Sequence, residues 1–248
     1  MATTVVEPRR PALISLAANR NEFSIQVPAA APAARARDSR LQLIVVLTVL
    51  AAALLWFVTR KLHYFTDYSI ASYSDYFWPR RAGLIFHLAG GMAAITVGLA
   101  QIWLGLTNRV STLHHMLGRI YGVCVLIGSL GGFYLALTIP GHMPYSAGLF
   151  MLDVAWVITT GMALYAIRTR RIEQHREWML RSYTVTFAFV TYRLLSDWLR
   201  RWIHVPEDPI ADNIDTLMAW ACWAVPLLLA EPLIQLRSMR RHARVAAD

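Results

Sequence analysis

Six stretches of the chain stay apolar long enough to cross a bilayer as helices: 41–58, 82–107, 116–139, 145–167, 178–199 and 214–236. A helix rises about 1.5 Å per residue, so roughly 20 apolar residues cross the ~30 Å hydrocarbon layer. Inside two of these stretches the small and polar residues recur at helical spacing. His87, Gly91, Ala94, Gly98, Gln101 and Gly105 share one face of the second. His115, Gly118, Gly122, Val125, Ser129, Gly132 and Ala136 share one face of the third. Small faces let helix backbones approach where lipid supplies no hydrophobic drive between them. The same faces also leave room for a flat cofactor with a histidine as ligand.

The pattern predicts an all-α, polytopic integral membrane protein with six transmembrane helices, the second to fifth forming a four-helix core. Residues 1–40 are rich in Ala, Pro and Arg without helical or strand period and read as a disordered cytoplasmic tail. Residues 41–236 form the transmembrane domain and 237–248 a basic cytoplasmic tail. The stretch 41–58 begins late and is followed by Thr59-Arg60-Lys61, so it reads as a span rather than a signal peptide.

Composition agrees. The chain is 56% hydrophobic and only 16% charged, against about 25% in soluble domains. Its net charge of +9 is assigned to loops obeying the positive-inside rule, with no nucleic-acid partner. With the N-terminus inside, most Lys and Arg fall in the tail, in the run from Arg168 to Arg181 and after Arg237. Only Arg60, Lys61, Arg80, Arg81, Arg193, Arg200 and Arg201 fall on the other side. This bias places both termini in the cytoplasm, with the bilayer of the bacterial inner membrane as the first partner. Cys124 and Cys222 lie inside apolar blocks and suggest no disulfide. Tyr64, Phe65, Tyr68, Tyr73, Tyr76, Phe77 and Trp78 crowd the first outer loop and read as an interfacial belt.

Ionisable residues within the spans are costly in hydrocarbon and by default face a partner or a cavity. His87, Asp153, Arg193 and Asp197 all fall in the outer half, where a polar cluster would pair Arg193 with Asp153 or Asp197 near His87. On the inner side, Leu113-His114-His115-Met116-Leu117-Gly118-Arg119-Ile120-Tyr121-Gly122 is echoed by Gln174-His175-Arg176-Glu177-Trp178-Met179-Leu180-Arg181-Ser182-Tyr183. His115 and His175 each head a helix at one level. Two imidazoles on facing helices can hold a haem b if their nitrogens approach to roughly 4 Å. His87 is the outer candidate, and Arg119 and Arg181 are placed to snorkel or to pair with propionates. The sequence has no HExxH, GxSxG, P-loop or GxGxxG, so hydrolytic and nucleotide chemistry have no support.

LHHMLGRIYG, HREWMLRSYTVTFAFVTYRL and the upstream FHLAGG resemble the bacterial membrane-protein family called domain of unknown function 2306, over roughly residues 80–200. The family name carries no activity. The core is also similar to cytochrome b561-like and ferric-reductase-like membrane proteins, which implies haem ligation. Two functions therefore stand open. One is a haem-b-binding electron-transfer module with a quinone or another redox partner. The alternative is a non-catalytic binding or transport component with a small polar intramembrane cavity. Whether the chain is an enzyme stays undecided. The charge bias generates one direct expectation: reporter fusions after residues 40, 112, 172 and 240 all report cytoplasm, and a periplasmic signal from the 172 fusion breaks the topology.

Overall fold

The computed structural model describes residues 32–107, 112–138, 143–203 and 210–245, all helical or in the turns between helices. Arg109, His142 and His204 lie outside the described residues, as do the side chains of Asp212 and His242. The helices are α1 (Pro32–Lys61), α2 (His63–Thr66), α3 (Ile70–Phe77), α4 (Arg81–Leu106), α5 (Thr112–Thr138), α6 (Met143–Arg168), α7 (Ile172–Thr186), α8 (Ala188–Ile203) and α9 (Ile210–Val245). The chain divides into a unit Met1–Gln42 and a unit Leu43–Asp248. Of the first, the described part is the opening of α1.

Two boundaries differ from the sequence reading. Helix begins at Pro32, inside the segment expected to be a disordered tail; residues 1–31 lie outside the described residues. Proline suits the first helical position, and Ala33, Ala34, Arg35, Ala36 and Arg37 after it are strong helix formers. Helix also continues past residue 236 to Val245, through a basic run rich in Arg, a good helix former.

Among the described residues, five stretches are long and apolar enough to span a membrane: Ile44–Thr66, Ile70–Gly105, Thr112–Thr138, Met143–Arg168 and Asn213–Arg241. The segment expected as the fifth span is absent from that set and is broken at Phe187 into α7 and α8. Its composition has a physical reason. Ser182, Tyr183, Val185, Thr186, Ala188, Val190 and Ser196 are all buried, so this segment faces protein, where polar side chains find partners. The outer helices face lipid and must be apolar: Ile44, Val45, Val46 and Val49 of α1 are exposed, as are Leu228, Leu229 and Leu233 of α9.

The most extensive pairing in the chain is α4 on α5. A Cβ on Gly90 would lie 2.6 Å from Gly128 Cα and 2.7 Å from the Cys124 carbonyl; one on Gly131 would lie 2.5 Å from the His87 amide nitrogen. Backbone therefore touches backbone, and only glycine permits it. The predicted stripe of α4 is real but serves another neighbour. Gly91 receives Phe189 and Gly98 receives Tyr183, while Gly105 faces open space. On α5, Gly128 meets the Trp156 ring and Gly132 the Asp153 carboxyl. The tandem pairs Gly90-Gly91 and Gly131-Gly132 thus make two adjacent faces of each helix small.

At the end opposite the basic loops, the aromatic segment is a folded cap as well as a belt. Tyr73 is buried, its hydroxyl donates to the Tyr64 carbonyl, and its ring meets Tyr64, Tyr68 and Trp78 at 5.2, 5.5 and 6.1 Å. Leu84, Leu88 and Leu135 pack beneath it. Phe65, Tyr68 and Tyr76 remain exposed, as a belt requires. Gly90→Leu and Gly131→Leu are each expected to cost about 3 kcal/mol or more and to remove most folded protein. Gly105→Leu is expected to fold normally; thermal melts in detergent that rank the three otherwise contradict the packing.

Candidate functional site

The two echoed motifs meet. α6 ends in a tight turn in which Arg170 adopts φ 58° and Arg171 N–H donates to the Ala166 carbonyl at 2.8 Å. That turn lays α7 back against α6. His175, just inside α7, then points Nδ1 at the Ala163 carbonyl, 2.9 Å away. A carbonyl only accepts, so Nδ1 carries the hydrogen. From the first motif, the carbonyl of His114 accepts from Gln101 Nε2 at 2.6 Å, and the His114 ring lies within electrostatic reach of His115 and His175. His114 Nδ1 is buried without a partner.

Deeper in the bundle the motifs are joined by hydroxyls. Tyr121 Oη lies 2.7 Å from Ser182 Oγ and 2.7 Å from Thr186 Oγ1. Thr160 Oγ1 lies 2.7 Å from Ser182 Oγ. Trp156 Nε1 donates to Thr186 Oγ1 at 2.7 Å, and Thr186 Oγ1 donates to the Ser182 carbonyl at 2.8 Å. These last two bonds fix the direction of all the others. Thr186 has one hydrogen, already given, so Tyr121 donates to Thr186. Ser182 then donates to Tyr121, and Thr160 to Ser182. Every hydroxyl hydrogen is used, all in one sense, tying α5, α6 and α7 together. The sequence signal was Ser182 and Thr186 four apart on one helical face.

Between α4, α7 and α9, at the basic end, lies a cavity of about 350 Å³. Its floor is Ile102, Met179, Leu180, Tyr183 and Ile234. Gln101 and His175 are its polar wall, Gly105 leaves its opening, and Arg176, Arg237 and Arg241 stand at its rim with Glu173 and Glu177. Arg241 is paired with Glu173 at 2.5 Å. Tyr183 is held in the floor by its hydroxyl, which donates to the Ile95 carbonyl at 3.2 Å.

The remaining expected residues are distributed differently. His115 and Arg119 are exposed, and neither lines this cavity. Arg181 neither snorkels nor stands free. Its side chain is 11% exposed and makes a two-bond pair with Glu231, 2.8 Å from Nε and 2.7 Å from Nη2, while stacking over Trp178 at 4.8 Å. The four residues expected around a haem b, His115, His175, Arg119 and Arg181, do not line one cavity here. His115 lies off the cavity and the Arg181 guanidinium is already taken.

The outer cluster is only partly assembled. His87 and Arg193 line one cavity of about 150 Å³ at the aromatic end. Asp153 is 3% exposed, packed against Gly132, with Oδ1 unpartnered. Asp197 lies instead in a groove with Trp56 and Arg60. Among the described residues no ion pair joins Arg193 to either acid. The outer ion pair that does form, Arg200 with Asp215 at 2.8 Å, escaped the sequence reading because its partners sit on different helices. No group of three or more metal-ligating side chains occurs among the described residues.

The family described as Predicted membrane protein (DUF2306) matches residues 84–234. No curated protein and no solved structure matches the chain significantly. Replacing Tyr121 by Phe removes the link between Ser182 and Thr186 and strands a buried hydroxyl. The expected loss is about 1–3 kcal/mol, read as a fall in melting temperature in detergent; an unchanged melt would show that the hydroxyl chain carries no stability.

Proposed function

Because this chain belongs to the DUF2306 family of predicted membrane proteins, we propose that it is a non-catalytic, membrane-embedded binding component whose site is the cavity at the basic end. The observation that carries this reading is the cavity's two-part lining: an apolar floor facing the bundle and arginines at the rim. A ligand that matches it has an apolar body and an anionic head. After Glu173 is taken by Arg241, the rim keeps Arg176 and Arg237 against one acid, Glu177, a net positive charge. At about 350 Å³ the space lies at the lower end of the roughly 300–1,000 Å³ range of small-molecule sites. It suits a phosphodiester head with the first part of its acyl chains.

The occupant is an anionic phospholipid of the surrounding bilayer. The basic end faces the cytoplasm of a bacterial inner membrane, both termini lie on that side, and the positive-inside bias supports that placement. A quinone has a neutral head and gains nothing from the rim. His175 acts as a wall group, with Nδ1 held by Ala163 and Nε2 left for a donor.

The test is the affinity of detergent-solubilised protein for short-chain phosphatidylglycerol against phosphatidylcholine. Phosphatidylglycerol is expected to bind more tightly. Arg237→Gln, an exposed change, is expected to weaken it roughly fivefold, the effect of about 1 kcal/mol per basic residue near an anionic head. Gly105→Leu, which narrows the opening, is expected to weaken both lipids. Equal affinity for the two headgroups, quinone binding indifferent to Arg237→Gln, or a Soret band in protein from haem-replete cells that vanishes in His175→Ala would each overturn the reading.

A further inference from the structure

The cavity at the aromatic end has a different chemistry. It measures about 150 Å³ and lies among α4, α6, α8 and the end of α1. Its inner wall carries His87, whose Nδ1 is 2.9 Å from the Gly128 carbonyl on α5. That carbonyl is reachable because Gly90, Gly128 and Gly131 bring the two backbones into contact and leave no side chain over it. The bond requires the hydrogen on Nδ1, so in the neutral ring Nε2 is an acceptor with a free lone pair. The imidazole cannot swing away, since Phe189 lies against it with ring centroids 4.8 Å apart.

One helical turn beyond Phe189 on α8, the same cavity is cationic. Lys61 and Arg193 both line it, and neither makes an ion pair among the described residues. Arg193 rests over the Tyr192 ring at 5.5 Å. Asp197 is within electrostatic reach of Lys61 but forms no ion pair with it. Asp215, which reaches the cavity wall at Tyr192, is held by Arg200 at 2.8 Å and by the Tyr192 hydroxyl at 3.4 Å. Two cations, an acceptor nitrogen and aromatic walls define a polarity. At roughly 30 Å³ per water, the space holds about five waters, the scale of one small ring with its charge at the mouth.

We infer that this cavity binds a small planar organic anion with a hydroxyl or N–H donor opposite its charge, the donor bonding His87 Nε2 and the anion lying between Lys61 and Arg193. The chemistry selects by two ends at once. A ligand lacking the donor leaves the Nε2 lone pair unmet, and one lacking the charge leaves the cations with water alone.

The probe is 4-hydroxybenzoate, with benzoate as the analogue without the donor and phenol as the analogue without the charge. Each is titrated calorimetrically into the detergent-solubilised full chain. The expected result is measurable binding of 4-hydroxybenzoate, with benzoate and phenol each at least tenfold weaker. Arg193→Gln, at an exposed side chain, is expected to weaken 4-hydroxybenzoate about tenfold and leave phenol unchanged. His87→Phe is expected to abolish the advantage of 4-hydroxybenzoate over benzoate, with a thermal melt reporting whether it folds. Benzoate binding as tightly as 4-hydroxybenzoate, 4-hydroxybenzoate indifferent to Arg193→Gln, or no binding of any of the three at millimolar concentration overturns the inference. None of these outcomes bears on the cavity at the basic end, which lies at the other end of α4.

Discussion

Backbone contact between α4 and α5 is the constraint on which the rest of the bundle depends. In lipid the side chains of two apolar helices gain nothing by leaving the bilayer for each other, so association rests on van der Waals contact and buried polar bonds. Gly90 against Gly128 and Gly131 against the His87 amide supply the first and make the second possible. A helix carbonyl is normally screened by side chains. Here the Gly128 carbonyl is bare, and His87 bonds to it from the neighbouring helix. The contact that fixes the spacing of α4 and α5 is therefore also what orients the His87 imidazole.

The same economy of small residues governs the next layer. Tyr183 and Phe189 fill the face of α4 next to the glycine contact, at Gly98 and Gly91. Trp156 and Asp153 do the same on α5, at Gly128 and Gly132. Large rings enter where there is no Cβ, and their polar tips then meet partners that a looser bundle could not reach: Tyr183 at the Ile95 carbonyl, Trp156 at Thr186. The stripe of α4 runs out of neighbours at Gly105, and the vacant continuation of that stripe is the cavity at the basic end. Packing and cavity are thus one feature read at two depths.

The sequence showed the helices, the small stripes and the motifs, because each is a local, periodic property. It did not show which neighbour each face meets. Gly90-Gly91 and Gly131-Gly132 were visible as dipeptides, yet only one member of each was assigned to the stripe, since a single face was sought where two are used. His115 was preferred to His114 by its four-residue spacing from Arg119. The structure turns His115 and Arg119 outward and His114 toward Gln101 and His175. A helix's rotation about its own axis is set by what it packs against, and periodicity alone leaves it free. Arg181 was read on the inner side without Glu231 as its partner. Their pairing depends on α7 and α9 being adjacent, which fifty residues of intervening chain conceal.

The α7–α8 segment shows the limit of hydropathy most plainly. It carries Glu173, Arg176, Glu177, Arg181, Arg193, Asp197, Arg200 and Arg201, and neither α7, with 15 residues, nor α8, with 16, is among the stretches long and apolar enough to span. Yet its middle is among the most buried parts of the chain, with Ser182, Val185, Thr186, Ala188 and Val190 fully enclosed. Hydropathy measures what a helix offers to lipid, and the middle of this segment is surrounded by protein. Its charges sit at its two ends, where α9 supplies Glu231 and Asp215 and both cavities open. A segment that must hold hydroxyls in the interior and charges at both mouths cannot also be uniformly apolar. Its polarity follows from its position, and both candidate sites draw on it, His175 and Tyr183 at one end and Phe189, Tyr192 and Arg193 at the other.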